Sequence, residues 1–162
     1  MAGRSSTEPE HQSPLAVFES LSGSERLAAL GAVVCAGSLV LPWYRVTVAE
    51  GLVKTGLGAF GFAEAALLLT VIAALVLLWE VGQGHRPSLP LRIGTLLTLA
   101  GIWCVLLTVY LMFDRPHLKV TGLRSGYQLA YGIFVAMGGG AVMVIAGLRE
   151  RRSPTITRPV RR

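Results

Sequence analysis

Few side chains in this sequence could do chemistry, and the most unusual of them is a carboxylate inside an apolar segment. Glu64 is the one charged residue in the stretch GAFGFAEAALLLTVIAALVLLW, residues 58–79. An ionisable group among apolar residues is costly, so it predicts a partner or a function. The basic and polar residues expected to lie near it complete a predicted polar cluster, which consists of Glu64, Arg124, Gln128, Tyr127, Arg45 and Arg115.

Two roles are open for this predicted polar cluster. In the first, Glu64 forms an ion pair with Arg45, Arg115 or Arg124 and fastens one end of a helical bundle. In the second, Glu64 with Arg124, Tyr127 and Gln128 binds a lipid or a small molecule. We favour the structural role, because an ion pair needs no feature beyond the cations already present in the neighbouring loops.

The other reactive side chains do not form a catalytic or metal-binding pattern. His11, His85 and His117 lie in separate segments, so we predict no metal site. Cys35 and Cys104 each lie in the middle of an apolar segment, where a cysteine usually acts as a small core residue. The sequence has no phosphate-binding loop, no His-Glu-x-x-His motif and no serine nucleophile motif. We therefore predict no enzymatic activity and no cofactor.

The composition shows which elements must position these residues. Hydrophobic residues make up 52% of the chain and charged residues 15%, and the mean hydropathy is +0.59. The apolar residues fall into segments close to the roughly 20 residues that cross a bilayer. We predict an all-α membrane fold, an antiparallel bundle of four transmembrane helices in residues 22–148, with spans at about 27–43, 58–79, 91–113 and 128–148. A disordered cytoplasmic tail, 1–21, and a basic cytoplasmic tail, 149–162, flank it.

The basic residues predict the orientation in the membrane. The two tails and the middle loop hold ten Lys and Arg residues, whereas the first and third loops hold five. Because positive charge stays on the cytoplasmic side, both termini should be cytoplasmic. Aromatic residues near the span ends are predicted interfacial anchors: Trp43, Tyr44 and Tyr110 at the outer surface and Trp79 at the inner surface.

The loops and tails predict a few smaller elements. YRVTVAEGLVKT, residues 44–55, has β-branched residues on both sides of Ala-Glu-Gly and predicts a hairpin. HLKVTGL, residues 117–123, could add a third strand, which would give a small extracytoplasmic sheet. LAVFESL, residues 15–21, could form a short amphipathic turn on the inner surface.

Small residues recur at helical spacing in the predicted spans and predict close helix contacts. These stripes are Ala28, Ala32 and Ala36; Ala59, Ala63, Ala66, Thr70 and Ala73; Gly94, Thr98 and Gly101; and Gly132, Ala136 and Gly139 or Gly140.

The net charge of +6 could suggest nucleic-acid binding. Six of the fifteen cationic residues, however, lie in the tail RERRSPTITRPVRR, directly after the last span. We interpret this tail as a topology signal that also contacts anionic lipid headgroups, and we predict no nucleic-acid partner.

Three motifs resemble those of small four-helix integral membrane proteins of actinobacteria, a group that carries no assigned activity. They are Leu41–Tyr44 (LPWY), Phe62–Ala65 (FAEA) and Arg124–Tyr127 (RSGY), and the resemblance covers about residues 27–149. It implies a multi-pass protein of the bacterial plasma membrane. The layout is also similar to that of claudins, but both cysteines here lie inside spans, so the likeness is limited to architecture.

Taken together, these patterns predict a non-enzymatic integral membrane protein. Its expected role is that of an accessory or structural component that binds a membrane-protein partner at its outer face. The alternative is an outer-leaflet lipid or small-molecule site, or a transport-associated role, that uses Glu64.

Overall fold

The computed structural model describes residues 13–46, 53–57, 61–84, 91–113 and 127–152, and this part of the chain is mostly helical. The elements in chain order are α1 (Pro14–Ser20), α2 (Gly23–Ser38), β1 (Pro42–Val46), β2 (Val53–Thr55), α3 (Phe62–Gly82), α4 (Ile93–Phe113), β3 (Tyr127–Leu129) and α5 (Tyr131–Arg152).

Three of these helices, α3, α4 and α5, are long and apolar enough to cross a membrane. They have 21, 21 and 22 residues, and an 18-residue stretch of each has a mean hydropathy of 2.4, 2.3 and 1.9, respectively. Many of the side chains that point away from the protein are large and apolar, among them Leu69, Val76, Leu99 and Leu106. Exposed apolar surface on this scale is unfavourable in water and is expected where the surroundings are lipid. These features indicate a membrane protein.

Helix α2 differs from the predicted first span, 27–43, at both ends. It begins at Gly23 because Ser22 and Glu25 form a capping box: Ser22 N–H donates to Glu25 Oε2 at 2.7 Å, and Glu25 N–H donates to Ser22 Oγ at 3.3 Å. It ends at Ser38, and the chain enters strand β1 at Pro42, a residue that cannot continue a helix. With 16 residues, α2 is shorter than the three long helices.

Helix α5 packs against α2 on one side and α4 on the other, and glycines form the contacts. A Cβ added at Gly31 would lie 2.8 Å from the Gly139 carbonyl oxygen, and one added at Gly101 would lie 2.8 Å from that of Gly140. At the start of α4, a Cβ added at Gly94 would lie 2.9 Å from the Gly147 oxygen. The backbones therefore approach as closely as small residues permit, and α4 runs antiparallel to α5.

The predicted stripes of small residues are buried in α4 and α5 and buried or half-buried in α2, whereas the stripe on α3 holds only over Ala63, which is buried, and Ala66 and Thr70, which are half-buried. Ala73 is exposed, and the buried face of α3 carries larger residues, including Leu67, Val71 and Leu78. Helix α3 therefore meets its neighbours through these bulky side chains together with the buried Ala63 and Ala74.

The three strands form one antiparallel sheet in the order β2-β1-β3. The predicted hairpin is confirmed, with Arg45 opposite Val53. The predicted third strand, 117–123, lies outside the described residues. The third strand observed, on the side of β1 away from β2, is Tyr127–Leu129. The predicted fourth span, 128–148, had included the last two of these residues. Ala130 N–H then donates to the Trp43 carbonyl at 2.8 Å, which continues the pairing with β1 up to the start of α5 at Tyr131.

The predicted tails also differ from the structure. Within the tail predicted to be disordered, 1–21, the chain forms helix α1 over the segment for which a short amphipathic turn was also predicted, and Val17 and Leu21 are buried. Helix α5 continues to Arg152, beyond the predicted end at 148, and places cations in its last turn, where the helix dipole favours them. Residues 1–12 and 153–162 lie outside the described part.

Candidate functional site

Glu64 lies in the first turn of α3 and caps that helix. Its side chain is 5% exposed, and its Oε2 accepts a hydrogen bond from Gly61 N–H at 3.0 Å. Gly61 has no side chain, so this bond is the glutamate half of a capping box. The bond satisfies an N–H that the helix leaves without a partner, and the carboxylate lies where the helix dipole favours negative charge. The cap gives a physical reason for a carboxylate at this point in an apolar segment.

Of the predicted polar cluster, the structure describes the side chains of Glu64, Arg45 and Gln128. Arg45 and Gln128 are both exposed and lie opposite each other in strands β1 and β3. No hydrogen bond or ion pair joins either of them to Glu64 in the part of the chain that the structure describes. Arg115 and Arg124 lie outside the described residues, and Tyr127 is placed only by its backbone pairing with Val46.

The predicted interfacial anchors Trp43 and Tyr44 are instead buried in the protein, which corrects the sequence prediction. Trp43 Nε1 donates to the Ser38 carbonyl at 2.6 Å, and Tyr44 Oη donates to the Leu111 carbonyl at 2.8 Å. Both carbonyls lie in the last turn of a helix, where the backbone lacks intrahelical partners. The two aromatic residues thus close the ends of α2 and α4 while their rings fill the core.

The other two predicted anchors are exposed. Trp79 and Tyr110, near the ends of α3 and α4, are 38% and 54% exposed. Their exposure leaves both rings accessible to the surroundings, and their anchoring role stays a prediction.

Buried hydroxyls and thiols in the helices bond to nearby backbone carbonyls. Thr98 Oγ1 and Thr108 Oγ1 each donate to the carbonyl four residues earlier at 2.7 Å, and Cys35 Sγ donates to the Ala136 carbonyl at 3.1 Å. Cys35 and Cys104 are free and fully buried. In lipid a polar group must find its partner inside the protein, and these bonds meet that requirement.

The sequence reasoning missed a polar contact at the other end of the helices. Glu150 Oε2 of α5 accepts hydrogen bonds from Ser24 Oγ and, at 3.3 Å, from Ser22 Oγ. The contact places the start of α2 beside the end of α5, so these two helices are antiparallel. The residues are more than 120 positions apart in the chain, and no local pattern signals such a contact.

Within the described ranges, no group of three or more His, Cys, Asp and Glu residues could hold a metal ion. No protein-family model matches the sequence, and no curated protein matches it.

Proposed function

We propose that this chain is a non-enzymatic integral membrane protein of the plasma membrane that crosses the bilayer four times, through α2, α3, α4 and α5. The sheet lies on the outer side and both termini lie in the cytoplasm. The proposal includes α2 because it packs along α5, from the Glu150 contact at one end to Cys35 and Ala136 further along. The distribution of basic residues between the loops supports the orientation.

We infer further that the sheet end of the molecule binds a membrane-protein partner, so that the chain is an accessory or structural component. The observation that carries this role is an exposed surface of mixed chemistry. Phe62 and Phe113, at the sheet ends of α3 and α4, are 89% and 84% exposed, and Arg45 and Gln128 are exposed on the adjacent strands. Aromatic residues and arginine are enriched in protein interfaces.

The alternative function, a lipid or small-molecule site built on Glu64, has less support. Glu64 is almost fully buried and one of its carboxylate oxygens is held by the Gly61 N–H. A ligand would have to displace this cap before it reached the carboxylate. The exposed residues Arg45 and Gln128 are open to a partner without any such rearrangement.

Site-specific photo-crosslinking in the native host tests the accessory role. A photo-reactive amino acid replaces Arg45 or Gln128 at the sheet, and matched controls carry it at Leu99 or Leu106, exposed residues on α4. We expect the two sheet positions to give the same crosslinked protein, which is also recovered by affinity capture in mild detergent with quantitative mass spectrometry. Identical crosslinking from the α4 positions, or no reproducible partner, would contradict the proposal.

A further inference from the structure

An apolar groove with a volume of about 180 Å³ lies between α1, α2 and α3, at the end opposite the sheet. Its lining residues come from all three helices and the α1–α2 junction: Pro14, Val17, Phe18, Leu21, Ala29, Leu30, Val33, Leu75, Leu78 and Trp79. Leu30, Val33 and Trp79 are partly exposed, so the groove opens to the side of the molecule. All of its lining side chains are apolar or aromatic, so it suits a hydrocarbon occupant.

Helix α1 is held firmly enough to form one wall of this groove. Ser20 Oγ lies 2.7 Å from the Gly82 carbonyl oxygen at the end of α3 and 2.6 Å from the Val17 carbonyl oxygen of α1, so its one proton is shared between the two helices. Gly82 has no side chain, and a Cβ there would lie 2.6 Å from Val17 Cγ1, so α1 rests directly on the α3 backbone. The wall thus depends on one hydrogen bond and on a close backbone approach.

A cation lies beside the groove. Arg26 Nε donates to the Leu21 carbonyl at 3.0 Å, and Arg26 Cζ lies 5.9 Å from the centre of the Phe18 ring. Leu21 and Phe18 both line the groove, so the guanidinium is fixed next to its lining. Among the described residues, the Nε N–H and one N–H of Nη2 donate to backbone carbonyls, and the other N–H groups of this planar guanidinium can bind a phosphate.

We propose that this groove binds one acyl chain of an anionic phospholipid of the inner leaflet, with the lipid phosphate at Arg26. The inference rests on the proposed membrane location. From Arg26 to Val33, helix α2 rises about 10 Å at 1.5 Å per residue, so the groove runs from the headgroup level into the hydrocarbon. A basic residue near the surface favours an anionic lipid over a zwitterionic one by roughly fivefold.

Tryptophan quenching by brominated lipids tests the proposal, because Trp79 lines the groove and Trp103 is an exposed residue in the middle of α4. The protein is reconstituted in mixed vesicles of phosphatidylcholine with a minority of phosphatidylglycerol, and the bromines are placed on one lipid or on the other. Comparison of the native chain with Trp79→Phe and Trp103→Phe gives the signal of each residue. We expect brominated phosphatidylglycerol to quench Trp79 about fivefold more than its mole fraction predicts. The quenching of Trp103 should be proportional to the mole fraction of the brominated lipid.

Three variants make the test specific to the groove. Val33→Phe fills it and should abolish the excess quenching of Trp79, whereas Ile72→Phe, at an exposed α3 position outside the lining, should not. Arg26→Gln should lower the quenching to that expected from the mole fraction. The proposal is overturned if Trp79 follows the mole fraction in the native chain or if Val33→Phe leaves the excess unchanged. If neither lipid quenches Trp103, the proposed membrane location itself is wrong.

Discussion

Two adjacent glycines in α5 allow the packing of α2 against α5 to be measured directly. A Cβ added at Gly139 would lie 2.8 Å from both Cys35 Sγ and the Gly31 oxygen, and 2.9 Å from the Cys35 nitrogen. A Cβ added at Gly138 would have nothing within 4 Å. The variants Gly139→Ala and Gly138→Ala therefore make the same chemical change in the same helix. They differ in whether the added methyl group collides with α2.

The expected free energies follow from two terms. Replacement of glycine by alanine inside a helix stabilises it by about 0.8–1.0 kcal/mol, and this gain is common to both variants. Overpacking against atoms that cannot move freely costs about 1–3 kcal/mol, and we expect this cost at Gly139 alone. We therefore expect Gly138→Ala to be more stable than the native chain and Gly139→Ala to be less stable than Gly138→Ala by about 1–3 kcal/mol.

Thermal unfolding of both variants in the same detergent measures this difference. Each kcal/mol should shift Tm by about 2–4 °C for a chain of this size. Equal shifts of Tm in the two variants would refute the reasoning, because Gly139 would then not face α2. That result would also argue against the packing of α2 along α5, which is the reason for including α2 among the proposed spans.

The caps and the docking of α1 lead to three further predictions. Glu64→Ala should destabilise α3 by about 1–2 kcal/mol in thermal unfolding, whereas Glu64→Gln, which keeps the acceptor for Gly61, should cost less than about 1 kcal/mol. Equal losses in these two variants would indicate an ion pair instead of a cap. Gly82→Ala should displace α1, because its Cβ would lie 2.6 Å from Val17 Cγ1, and hydrogen exchange in α1 should become faster. Gly37→Ala is the control: its Cβ would have nothing within 4 Å, and hydrogen exchange in α1 should be unchanged. Unchanged exchange in Gly82→Ala would show that α1 does not rest on α3. Tyr44→Phe should lower the free energy of unfolding by about 0.5–1.5 kcal/mol through loss of its hydrogen bond to the α4 carbonyl, and no loss would rule out that bond.

Hydropathy predicted much of the helical structure. The predicted segment 91–113 is close to α4, Ile93–Phe113, because a long apolar run is a local signal. The start of α2 follows from the Ser22–Glu25 capping box. Its end could not be predicted in the same way. The residues Leu39–Trp43 are all apolar, and their composition is compatible with the end of a span as well as with the turn and strand that they form.

Pairing between distant segments was beyond the local patterns. Tyr127–Leu129 is a strand because it pairs with β1, more than 80 residues earlier, and its own composition did not indicate this. The role of Glu64 was missed for a related reason. Its position as a cap depends on α3 beginning at Phe62, whereas the apolar segment that contains it begins at Gly58.

Cysteine labelling on either side of α2 tests the central claim, four crossings with the sheet outside, most directly. Cys35 and Cys104 are fully buried and should give little background. Glu19 in α1 and Arg45 in β1 are exposed, so Glu19→Cys and Arg45→Cys report the two ends of α2. We expect a membrane-impermeant maleimide to label Arg45→Cys on intact cells and Glu19→Cys only after the cells are permeabilised. Labelling of both positions from the same side would contradict a crossing by α2, and the reverse pattern would contradict the orientation.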